Sequence, residues 1–331
     1  MTCLLDSHAF LWSLFDPDCL SRPARDAILS PENNVMVSTV SFWELSLKYR
    51  LGKLELENVT PDVFPDADGW SAEACCEPTG ISANSLSDWH KVIDWWFNKY
   101  ARFAVAVKSQ HAYVRGLDHA QVPAKDVSET FTKQREGKSL TSEEQKAIED
   151  HLFWYVVGRA TENNLPVKLH TGYYAGQNVM PLSRLIGNPG SACDLCRAAP
   201  DTRFVFMHIC YPYYEELISV AKQYTNAYLD MCWAWIINPL AAKDFLKKYL
   251  LTAPANKLLT FGADYAAVEN VVGHAIMARQ GITQALGELV EEGWLGLDEA
   301  LQLIDPIMRG NARKLFDLEA KEESLKRAPW I

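Results

Sequence analysis

Excess basic charge is the first thing missing: 32 Lys and Arg stand against 42 Asp and Glu, a formal net charge of -10. Phosphate binding needs clustered Lys and Arg, so a surface built throughout to hold nucleic acid is excluded and only a local basic patch is left open. No uninterrupted apolar run reaches the roughly 18 residues of a membrane span. No charged segment followed by an apolar stretch marks an export leader, so a cytoplasmic protein without membrane attachment is expected. Internal repeats and low-complexity tracts are absent as well. A disulfide framework is not indicated, because the eight cysteines are scattered and several lie in apolar runs, as buried free thiols do. Cys193 and Cys196 form one Cys-x-x-Cys, but no second ligand pair stands at zinc spacing. What the chain does have is apolar material. With 48% hydrophobic content over 331 residues, it can bury one barrel of about 250 residues with additions, or two smaller domains.

The opening MTCLLDSHAFLW is an apolar strand-like run ending in Asp6-Ser7-His8. A metal-hydrolase barrel would carry His-x-His at the end of such a strand, whereas a small acidic nuclease would carry one Asp. Phe10 occupies the position of the second imidazole, which favours the nuclease start. LSRPARDAILSPENN follows, with Ser21 as N-cap and Pro23 in the first turn of a helix that stops before Pro31. A β-branched run, Val35 to Val40, then leads into a helix bearing Glu44. LLDSHAFLW, LSRPARDAI, VSTVSFWEL and RLGKLEL, in that order and spacing, resemble the N-terminal half of the PIN-domain ribonucleases of bacterial toxin-antitoxin modules, over about residues 3–56. The resemblance implies that Asp6 and Glu44 help to hold magnesium, a hard cation that takes carboxylate oxygens. The family's later acidic segment does not follow from Asn58 onward, so the alternative for Asp6 and Glu44 is a remnant without a complete metal site.

Between Glu57 and Ile81, five Pro and Gly residues break any regular pattern and mark a seam. The division expected is a partial PIN-like segment over 1–57, a linker over 58–84 and a barrel portion over 85–331. After the seam, DWHKVIDWWFNKYARF has a helical repeat of apolar residues. Five short β-rich runs then alternate with helical segments: RFAVAVKSQ, LPVKLHTG, RFVFMHICY, NAYLDMCW and KLLTFGADY. Their ends carry Lys108, His170, His208, Asp230 and Asp264, and apart from the first interval the spacing suits βα units of about 30 residues. In the long first interval, Thr141 and Glu144 form a capping box that opens a helix. Alternation along the strands places Lys168 and His170 on one face, Phe204, Phe206 and His208 on another, and Gly262 and Asp264 on a third. Active sites of βα barrels are assembled at strand C-termini, so this row of titratable ends reads as functional. His119, His151 and His274 fall in presumed helices or loops and read as structural. Tyr173 and Tyr174 follow His170 closely, either lining a substrate pocket or standing as exposed loop aromatics.

VKLHTGYYAG, RFVFMHICYP, LLTFGADY and RGNARKLF carry a second resemblance, from about Ser85 to Leu318. The chain here is similar to the amidohydrolase superfamily, in the branch that holds aminocarboxymuconate-semialdehyde decarboxylase and, more distantly, uronate isomerase. The resemblance implies an incomplete (β/α)8 barrel, α/β in class, behind the partial PIN-like segment. It further implies that His170 is a metal ligand, that His208 stands beside metal or substrate, and that Asp264 touches the metal and shuttles a proton. Lys108 matches a position that some members use for a bridging carboxylated lysine; its alternative is pairing with a neighbouring acid. The family's first strand is missing, for no His-x-His occurs anywhere in the chain. The function expected is a metal-dependent hydrolase or decarboxylase of a small molecule, using zinc, or else manganese or iron, at an incomplete site. The alternatives are a magnesium-dependent ribonuclease toxin remnant and a catalytically inactive fusion. Open strand edges further predict a homo-oligomer.

Overall fold

The computed structural model describes residues 2–5, 7–30, 32–37, 72–174, 180–264 and 270–328. Two compact units divide the chain: Met1–Ser71 with Tyr265–Val271, and Ala72–Asp264 with Val272–Ile331. One boundary between them, at Ser71, falls inside the interval expected as a linker. Ala72–Cys76 is helical, and the Trp96 indole donates to the carbonyl of Cys75 at 2.9 Å.

In the first unit, β1 (Thr2–Leu5) and β2 (Asn34–Val37) pair in parallel. Helices Ser7–Phe15 and Arg22–Leu29 lie between them in sequence. Ser21 caps the second helix, accepting from the Ala24 amide as its sequence context predicts. Asp6 and Glu44 lie outside the described residues.

In the second unit, β3 (Val107–Ser109), β4 (Val167–Leu169), β5 (Phe204–Met207), β6 (Ala227–Asp230) and β7 (Leu258–Leu259) form one parallel sheet in chain order. All five predicted runs become strands, and helical segments separate them. The sheet is an α/β layer with a large core on one side. Val167, Leu169, Phe204, Phe206 and Leu229 pack there with Leu195, Leu217, Phe245, Leu246 and Tyr249. A smaller cluster of Val205 and Leu259 with Leu315 belongs to the alternate residues. Every residue of β5 is buried, as expected of a parallel strand covered on both faces, which is why it reads as an unbroken apolar run.

Helix ends are set locally. Thr141 Oγ1 accepts from the Glu144 amide at 3.1 Å, and Glu144 accepts from the Thr141 amide at 2.8 Å, starting helix Ser142–Glu162. That interval also holds helix Ala124–Arg135. Gly281 lets helix Asn270–Glu291 lie against Trp235, since a Cβ there would meet the indole at 2.1 Å. Register aligns Lys108 with Lys168, Lys168 with Val205 and Val205 with Tyr228, so the C-terminal ends of all five strands emerge at one edge. Among the described residues, no helix is long and apolar enough to cross a membrane.

Candidate metal centre

The polar residues gather at that edge through abrupt changes of backbone direction. β5 ends at Met207, and His208, Ile209 and Cys210 follow with φ of 61°, 50° and 59°. Strict alternation would leave His208 on the side of Phe204 and Phe206; the left-handed backbone overrides that expectation. Its ring lies instead 4.5 Å from that of His170, centroid to centroid. The neighbouring loop supports the turn. The Thr171 hydroxyl donates to the Met207 carbonyl, and the Gly172 amide donates to Asn188 Oδ1 at 2.9 Å. Gly172 has φ +69°, and a Cβ on it would stand 2.5 Å from the Cys210 carbonyl carbon.

β6 ends at Asp230, whose carboxylate accepts from Lys168 Nζ at 2.9 Å and from the Cys232 amide at 3.0 Å. Asp230 is thus used structurally, holding Cys232 at φ 40°. After β7 the chain passes Gly262, where a Cβ would lie 3.2 Å from Asp230 Oδ1 and 3.5 Å from Cys232 Sγ. It then reaches Asp264 at φ 51°. Left-handed residues with side chains are costly and cluster where a fold aims groups at a site.

Here the aim converges. His208, Cys232 and Asp264 each offer one ligand atom, and the three atoms lie within 4.8 Å of one another. His208 Nε2 is 3.6 Å from Asp264 Oδ2, while Lys108 Nζ is 2.5 Å from Asp264 Oδ1. The acid pairing proposed for Lys108 is therefore present. His170 stands against this group, its Nε2 3.1 Å from the Tyr173 carbonyl. In the neutral ring Nε2 then donates, leaving Nδ1 with the free lone pair. Tyr113 packs on His170 at 4.4 Å.

Burial dominates the electrostatics. It pushes His208 well below the usual imidazole range, with His170, Lys108 and Lys168 adding to the effect. His170 falls to about 4, again mainly through burial. The Cys232 thiol is driven well above its usual value by burial and then by Asp230 and Asp264. Near neutral pH both imidazoles are uncharged, the state in which histidine binds metal. Neither ring nitrogen of His208 has a hydrogen-bond partner, although both are buried. Buried polar nitrogens are costly to leave unsatisfied, and a metal ion would supply the missing interaction.

Of the residues singled out in the sequence, Lys108, His170, His208 and Asp264 come together here. Cys232 was missed, because it was grouped with the buried thiols; its position two residues beyond a strand end was the available signal. His119 stacks on Phe153 at 3.7 Å between ring centroids, and His151 Nδ1 is 2.8 Å from the Val122 carbonyl. Tyr174 is buried with its hydroxyl on the Ala112 carbonyl, whereas Tyr173 is exposed. Cys196 is a buried free thiol, pushed up to about 12 by burial.

A parallel α/β sheet with imidazole, carboxylate and thiol donors at its C-terminal edge defines the class as a candidate metal-site α/β protein. The chain belongs to the amidohydrolase family, whose model, described as Amidohydrolase, matches residues 130–318. It is 26% identical over 231 residues to Protein fluG of Emericella nidulans, which covers 66% of this chain and 26% of that protein. The chain thus spans about a quarter of the length of this curated relative. Solved structures share the fold. A protein described as a metal-dependent hydrolase from Lactobacillus casei matches with TM-score 0.59 and 22% identity, over 76% of this chain and 64% of that one. Uronate isomerase from Thermotoga maritima matches with TM-score 0.63 and 13% identity, over 96% and 67%. Glucuronate isomerase from Caulobacter crescentus gives 0.61 and 15%, over 96% and 64%.

Proposed function

We propose that the chain is a metal-dependent hydrolase of the amidohydrolase superfamily acting on a small molecule, with His170, His208 and Asp264 holding one divalent ion. In this reading the five-stranded sheet is the described part of an incomplete eight-fold barrel, and decarboxylation is the other chemistry open to the same residues. The observation that carries it is His208, buried with both ring nitrogens unpartnered beside a carboxylate and a second neutral imidazole. When bound, such an ion polarises a carbonyl and lowers the pKa of water toward about 7.

The chain's own groups do the rest. Lys108 Nζ holds Asp264 Oδ1 and so orients the carboxylate, leaving Oδ2 toward His208. Oδ2 is placed to take the proton of an attacking water and return it to the leaving group. The Tyr173 carbonyl fixes the His170 ring, and the Tyr113 ring packs against it. With no His-x-His in the chain, the ligands are drawn from the strand ends alone.

Protein purified without chelator is expected to carry close to one equivalent of zinc, manganese or iron, and His208→Ala to lose most of it, as measured by elemental analysis. A folded, metal-free wild-type protein would overturn the reading and favour an inactive fusion.

A second reading applies to the first unit, favoured by the parallel β1–β2 pair, the order expected of a PIN-like start. It is a magnesium-dependent ribonuclease acting through Asp6 and Glu44, with an antitoxin as partner. Cleavage of a structured RNA in magnesium should vanish in Asp6→Ala; cleavage that survives the change comes from elsewhere.

A further inference from the structure

The geometry points to Cys232 as a thiolate ligand that completes the metal centre and selects a thiophilic ion, zinc or cobalt(II), over manganese or magnesium. This rests on the metal-site reading above and adds to it both a ligand and the identity of the ion. Three arrangements support it. Cys232 Sγ stands with His208 and Asp264 inside one cluster of ligand atoms, and His208, 2% exposed, presents unpartnered nitrogens there. The thiol is placed by dedicated structure: Asp230, anchored by Lys168, accepts the Cys232 amide and holds the residue in a left-handed turn. Gly262 lies beside this arrangement, where a Cβ would press on the Asp230 carboxylate at 3.2 Å that holds the Cys232 amide.

A strained, almost fully buried cysteine aimed at a histidine and a carboxylate would be poor packing if it only filled volume. As a ligand it supplies a donor at a site whose first-strand imidazoles are missing. The sulfur–metal bond forms as the S–H bond breaks, and the proton leaves to the buffer. Soft sulfur favours zinc and cobalt(II), whereas manganese and magnesium take oxygen donors. A nearby cation reverses the unfavourable ionisation of a buried thiol, so a metal-bound thiolate is the stable form.

Cobalt(II) titration of the full chain tests this, because a thiolate on cobalt gives a near-ultraviolet sulfur-to-metal charge-transfer band. The band should saturate at one equivalent in wild type and resist a large excess of manganese. In Cys232→Ser the band should vanish while cobalt still binds, with affinity lower by roughly tenfold or more. Cys196→Ser should keep it. Circular dichroism reports folding, and X-ray absorption on the wild-type cobalt protein detects sulfur in the shell without any variant. Cobalt bound without the band, or a band that survives Cys232→Ser, overturns Cys232 as ligand and leaves the metal reading standing. No cobalt binding at all overturns both.

Discussion

Three consecutive left-handed residues with side chains end β5, and the neighbouring loop is shaped to keep them so. His208, Ile209 and Cys210 are buried, which forbids the relaxation an exposed turn would allow. This turn is also where the sequence was least legible. That a histidine stands at the end of an apolar strand is readable from RFVFMHICY, but alternation puts it on the face of Phe204 and Phe206 and carries no sign of the φ reversal that precedes its approach to His170. Cys232 was illegible for a related reason: a cysteine in an apolar run looks like packing until the backbone turns it into a site. Gly172 makes the reversal possible by passing close to the Cys210–Tyr211 backbone at positive φ. Gly172→Ala is therefore expected to destabilise the chain by at least about 2 kcal/mol, from backbone strain and overlap together. Urea unfolding would show it as a lower midpoint with unchanged slope; an unchanged midpoint would mean the crossing is looser than described.

Elements were more legible than side-chain directions. Strand identity follows from short apolar, β-branched runs bounded by helical patterns, and all five runs after the seam are strands in one sheet. The capping box at Thr141 is readable because it is a local exchange of two hydrogen bonds, and Thr141→Ala should cost about 1 kcal/mol by thermal unfolding. Helix Ala124–Arg135 was not singled out, since it is mostly polar and buries only Val127 and Phe131. Helix Ser142–Glu162 also shelters a pH-sensitive contact. His119 stacks on Phe153 and is held to about 3, first by burial and then by Arg115 and His111. Its folded pKa lies below the unfolded value near 6.5, so between these values the unfolded chain binds more protons. Stability is then fully present above about pH 6.5 and falls as pH drops, by up to about 1.4 kcal/mol per pH unit for this group. His119→Phe should flatten that part of the profile in urea unfolding measured from about pH 6.5 down to 4; identical slopes would place the sensitivity elsewhere.

The Pro and Gly residues between Glu57 and Ile81 are what the sequence offers for a division; one change of compact unit falls at Ser71, and Tyr265–Val271 also group with the first unit. At the scale of the whole molecule, the five-stranded sheet leaves an architectural demand. Among the described residues, neither β3 nor β7 has a second strand neighbour. An eight-stranded barrel removes its edges by closing, whereas five parallel strands are too few to close around a filled interior. The edges are short, three residues in β3 and two in β7, which limits open-ended pairing. The exposed apolar residues Trp294, Leu297 and Leu301 add surface that favours association over isolation. The expected state is a dimer or larger closed assembly whose mass in multi-angle light scattering stays constant over about a tenfold dilution. A monodisperse monomer would show that the rest of the chain satisfies these edges by itself, and the account of missing strands would then fail.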